Sequence, residues 1–99
     1  MEVLAVTGVH YEGEKLVSLK MGRVDGAKNM WIKAPCEVPV IDVVNHLVAG
    51  DKVVTLFSVD ANTISGPNLQ VKVLDHGLET VEVVGDPVAG RTLADLPNF

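Results

Sequence analysis

Cysteine is almost missing from this chain: Cys36 stands alone, so no internal disulfide can form and a disulfide-stapled scaffold is excluded. The three histidines, His10, His46 and His76, lie far apart, and with no second cysteine at a ligand spacing every zinc signature is missing as well. Aromatic residues number four, which leaves Val, Leu, Ile and Ala to build the core. No apolar run approaches the ~20 residues that cross a bilayer, and no charged segment followed by an apolar one opens the sequence. Excess positive charge is lacking too. The net charge of −5 argues against bulk attraction to nucleic acid or an anionic membrane, where clustered Lys and Arg supply the affinity. These absences lead us to expect a cytoplasmic protein with no membrane, metal or cofactor.

What the chain does hold is 47 % hydrophobic and 21 % charged residues in a length of 99, a balance that excludes disorder and suits one domain over 1–99. Charge is uneven along it. Residues 14–33 carry Lys15, Lys20, Arg23, Lys28 and Lys33 against Glu14 and Asp25, while the flanking sequence is acidic. Trp31, the only tryptophan, sits among those cations, and a Trp beside Lys and Arg can stack on a base or anchor an interface. Arg23, Lys28, Trp31 and Lys33 are therefore the candidate ligand-binding set. The competing reading, preferred here because Trp is usually well buried, packs Trp31 inward with the lysine stems around it.

The clearest pattern is alternation. Leu69, Val71 and Val73, then Val81 and Val83, fall on every second position either side of Asp75-His76-Gly77, predicting an antiparallel hairpin over 69–74 and 79–84 with those five residues inward. Val3 to His10 predicts a first strand and residues 11–14 a turn. Leu16 to Met21 predicts a second strand, with Val17, Leu19 and Met21 on one face. Gly22 to Asn29 reads as a loop, and Met30-Trp31-Ile32 as a brief strand that Pro35 stops. One helix is expected over about 39–49, from apolar spacing at Val40, Ile41, Val43, Val44, Leu47 and Val48, Pro39 at its start and Gly50 at its end. Lys52 to Val59 is apolar enough for a central strand, and residues 60–68, ending in Ser65-Gly66-Pro67-Asn68, read as a loop. Thr92 three residues before Asp95 resembles a capping box. The fold class expected is α+β: an antiparallel sheet of about five strands, open or curled into a small barrel, with one main helix. No internal repeat is visible.

Catalytic chemistry finds little support. Cys36 adjoins Glu37, whose charge disfavours a thiolate, and Ser18, Ser58 and Ser65 lack the Gly-x-Ser-x-Gly elbow. The glycines fit no phosphate-binding spacing, and Glu79 and Glu82, three apart, point to opposite faces of a strand. The expectation is a chain with no catalytic residues.

Val83-Val84-Gly85-Asp86, the ending Thr92 to Phe99, the opening Ala5-Val6-Thr7-Gly8-Val9 and the helix-closing Gly50 together resemble a family of small bacterial domains of unknown function. The resemblance implies a bacterial or phage-related accessory protein and not a metabolic enzyme. The leading expectation is a non-enzymatic protein-interaction module that self-associates, because strands 3–9 and 52–59 look apolar on both faces and one helix cannot cover both. A homodimer follows, with a further protein partner also compatible. The alternative is a nucleic-acid or small-ligand module using the basic loop around Trp31.

Overall fold

The computed structural model describes residues 3–13, 15–25, 30–59, 62–74, 77–85 and 92–99. Six strands run β1 (Val3–Glu12), β2 (Lys15–Asp25), β3 (Met30–Pro39), β4 (Lys52–Val59), β5 (Asn62–Val73) and β6 (Glu79–Val83). One helix, α1 (Val40–Val48), separates β3 from β4, and a 3-10 turn at Leu93–Asp95 follows β6. The sheet order is β3-β2-β1-β4-β5-β6. It is α+β, but the sheet has six strands and is mixed and open, where about five antiparallel strands were expected. Every neighbouring pair is antiparallel except β1 and β4, which run parallel from Val3↔Lys52 to Val6↔Thr55. The cause is α1. A helix running back beneath the sheet returns the chain to the end where β3 began, so β4 enters in the direction of β1 and adds to its free edge. Two three-stranded meanders are thereby joined through their first strands. This repeat of topology leaves no trace in the sequence.

The helix forms where the punctuation indicates. Pro39, extended at φ −68°, is the N-cap, and Gly50 takes φ 94° just beyond the C-cap Ala49, as a residue without a Cβ can. Val43 and Val44 are buried against the sheet, while Ile41 and Val48, expected on the same face, are exposed because the apolar stripe is wider than the arc the sheet covers; a bond between His46 Nδ1 and Asp51 Oδ2 at 2.9 Å ties the last turn to the start of β4. The core between helix and sheet gathers Leu4, Val6, Val9, Leu19, Met21, Val53 and Phe57, with Leu93 and Leu96 from the C-terminal segment.

Several strands outrun their expected limits. β1 continues through Tyr11 and Glu12, and β2 through Gly22 to Asp25, because a paired neighbour overrides a local turn preference. Pro35 does not stop β3, an edge strand that can place a proline where no partner needs its N–H. Gly66 and Pro67 lie inside β5, where a register shift between Val54 and Leu56 absorbs them. A Cβ on Gly66 would stand 2.4 Å from the Phe57 ring, so the missing side chain is what lets that ring into the core. In β2 a second shift, opposite His10 and Tyr11, brings Leu16 into the core and leaves Val17 half-buried outside it, against the expected Val17 face. The closing hairpin has the expected register, Leu69↔Val83 and Val71↔Val81, with Gln70 and Lys72 outward. Val73, at its tip, is 66 % exposed rather than buried.

Beyond Thr55 the pairing of β4 with β1 ends, and the C-terminal segment takes its place. The Val9 N–H donates to the Pro97 carbonyl at 2.9 Å, and the Phe99 N–H donates to the Val9 carbonyl at 3.1 Å. The apolar excess of β1 is thus covered largely within the chain, with Leu4, Ala5, Val6 and Val9 all buried.

Candidate functional site

Two surfaces emerge. The first is an open groove of about 1110 Å³ between the start of α1, the tip of the β1–β2 hairpin and β6. Its floor is apolar, with Leu16, Val40, Val81 and Leu93, and exposed Ile41, Leu74 and Leu78 extend it outward. All five residues of β6 line it. Since successive side chains of a strand alternate faces, the groove meets residues from both faces of β6. Glu12, Lys15, Lys72 and Glu79 supply charge around the opening. On the outer face Gln70 Nε2 donates to Glu82 Oε1 at 3.0 Å, and Lys72 Nζ stands 3.9 Å from the other Glu82 oxygen. Burial raises the pKa of the half-buried Tyr11 phenol, another lining group, above its usual 10.0. No histidine or cysteine lines the groove among the described residues.

The second surface is the start of β3. Trp31 is 42 % exposed, contrary to the preferred expectation of burial, and Met30 and Ile32 beside it are more open still. The reason lies in Gly22, where a Cβ would meet the Lys33 carbonyl at 2.6 Å and Trp31 Cζ3 at 2.7 Å. The indole therefore lies on the backbone of β2, outside the core. Arg23 pairs with Lys33 and Val24 with Trp31, which brings three of the four candidate residues together; Lys28 lies outside the described residues.

Other reactive side chains are scattered. Cys36 is an exposed free thiol, and its neighbour Glu37 accepts the buried Ser18 hydroxyl at 2.8 Å. His10 bonds through Nδ1 to the Phe99 carbonyl oxygen, and Lys20 Nζ sits 5.0 Å above the Phe99 ring. His76 lies outside the described residues, among which no group of three His, Cys, Asp or Glu could hold a metal. No described helix is long and apolar enough to cross a membrane. The groove escaped sequence reasoning because it joins residues distant in the chain. The one signal that could have found it is the pair of leucines, Leu74 and Leu78, bracketing a polar turn.

No protein-family model, curated protein or solved structure matches this chain.

Proposed function

We propose that this chain is a non-enzymatic interaction module that self-associates, a bacterial accessory protein in keeping with the resemblance above. One observation carries the reading: an open groove with an apolar floor lies along β6, the last strand of the sheet, where apolar side chains of another chain can be received. The makeup of the groove supports a binding role over catalysis. Neither His10 nor His46 is among the groove's lining residues, so neither is placed there as a general base. Sedimentation equilibrium across micromolar concentrations tests the reading. A concentration-dependent dimer is expected, and a ~10 kDa species throughout overturns it.

A second reading, a nucleic-acid or small-ligand site at Arg23, Trp31 and Lys33, is favoured by the exposure of Trp31 beside a cation. It ranks lower because the surrounding molecule is acidic.

A further inference from the structure

We propose that the second copy joins head to tail: the tip of the β2–β3 hairpin, Met30-Trp31-Ile32, seats in the groove of the next chain. The inference rests on the self-association reading and specifies which surfaces meet. Met30 and Ile32 are 62 % and 61 % exposed and Trp31 is 42 % exposed, three apolar side chains in a row at the start of an edge strand. Met30 and Trp31, in register with Asp25 and Val24, are neighbours on a strand and so face opposite ways. A projection that is apolar on both faces is covered by a concave surface and not by a flat one. The groove offers that shape. At about 1110 Å³ it exceeds the ~300–1,000 Å³ of common small-molecule sites, and exposed Ile41, Leu74 and Leu78 widen its mouth, so it has room for several side chains at once.

One chain cannot fill its own groove. β3 and β6 are the two ends of the sheet, five strand spacings or roughly 24 Å apart, and the tip is at the start of β3 whereas α1, which walls the groove, begins beyond its end at Pro39. Charge identifies the occupant. Residues 23–33 hold three cations against Asp25, so the tip segment is basic. The groove is acidic: Glu12, Glu79 and Glu82 line it against Lys15 and Lys72, and residues 62–99, which supply most of its wall, hold five acidic side chains against two cations. A two-fold contact through either surface alone sets like charge against like, tip on tip or groove on groove. Tip into groove instead brings opposite charges together around an apolar centre, the arrangement that steers and orients association. A foreign chain would have to bring a basic, apolar projection of its own; this chain already carries one. The contact is heterologous, so a pair keeps one free tip and one free groove to which further copies add.

Ile32→Glu spoils the tip and Leu78→Gln the groove, each at a side chain 61 % exposed. Sedimentation equilibrium from ~1 to ~200 µM would compare both variants with the unaltered chain and with their equimolar mixture. The unaltered chain is expected to pass through a dimer and grow beyond two copies as concentration rises. Either variant alone is expected to raise the contact Kd by at least ~10-fold, because every contact it can make sets a spoiled surface against an intact one. In the mixture the intact tip of the Leu78→Gln chain meets the intact groove of the Ile32→Glu chain. A 1:1 pair with the unaltered affinity should return there and grow no further. A monomer at every concentration overturns both the contact and self-association and leaves the groove to a foreign chain. Association that either variant leaves unchanged, or that the mixture fails to restore, overturns the head-to-tail contact and leaves self-association standing. Should a variant misfold, Met30→Glu and Ile41→Gln, at side chains 62 % and 50 % exposed, repeat the comparison with the same outcomes.

Discussion

Two glycines show how much of this fold is decided by atoms that are absent. In each meander the middle strand carries a glycine under an aromatic ring, Gly22 beneath Trp31 and Gly66 beneath Phe57. The second contact is the tighter, because a Cβ at Gly66 would also stand 2.4 Å from the Thr55 hydroxyl, which is fully buried and donates to the Pro67 carbonyl at 2.9 Å. Gly66→Ala is expected to displace either the ring or that bond and to cost about 1–3 kcal/mol, measurable by urea unfolding. An unchanged midpoint would show that the strand yields freely there. The sequence marks Gly66 and Pro67 as a turn because it cannot reveal that a ring needs the space. Tyr11 makes the pH-dependent counterpart. Its pKa is raised by burial, so the native chain holds the phenol proton more tightly than the unfolded one. The resulting stability is complete below pH 10.0 and is lost as pH rises through the raised native value. Tyr11→Phe should therefore flatten the fall in unfolding midpoint between about pH 9 and pH 11, and an equal fall in both proteins would remove Tyr11 as its source.

At the scale of elements, periodicity and punctuation proved readable where a segment answers to its own residues. α1 is bounded by Pro39 and Gly50, and the β5–β6 register follows from its alternating valines. Strand ends answer instead to neighbours, and β2 runs on to Asp25 because β3 pairs with it. The paired ends of β2 and β3 are also where the candidate residues gather, and their chemistry bounds what can bind there. Lys33 is exposed and Arg23 half-buried next to Trp31, on a molecule of net charge −5. Few phosphates can be neutralised there. Binding to single-stranded DNA or RNA is accordingly expected to be weak at ~150 mM salt and to strengthen steeply as salt falls, because each neutralised phosphate releases counterions. A salt-titrated mobility shift checks this, and Trp31→Ala should remove what binding exists. Tight, salt-insensitive binding would restore the nucleic-acid reading.

On the scale of the whole molecule, the parallel joint between β1 and β4 is what alternation cannot foretell, since a period of two identifies a strand but not its partner. That joint has a structural consequence. It ends at Val6↔Thr55, leaving the second half of β1 with an open edge in the middle of the sheet. Residues 92–99 close it. The Thr92 amide and hydroxyl both donate to Asp95 Oδ2, at 3.0 and 2.8 Å, fixing the 3-10 turn; Leu93 and Leu96 then enter the core, and Pro97 and Phe99 bond Val9. Gly8 permits the close approach, for a Cβ there would already lie 3.2 Å from the Pro97 carbonyl. The segment thus works as a core element, held by burial at Leu96 and by backbone bonds at Val9. Leu96→Ala is expected to cost about 2–5 kcal/mol, a large share of the roughly 5–15 kcal/mol that stabilises a domain. Amide exchange separates the local from the global part of that loss. If the segment depends on Leu96, the Val9 amide loses more protection than that of Leu19, which lies opposite Val9 and Val38 in the sheet but makes none of the segment's bonds. Equal losses at both would make Leu96 an ordinary core residue, and an unchanged melting temperature would show that the edge of β1 is stable without it.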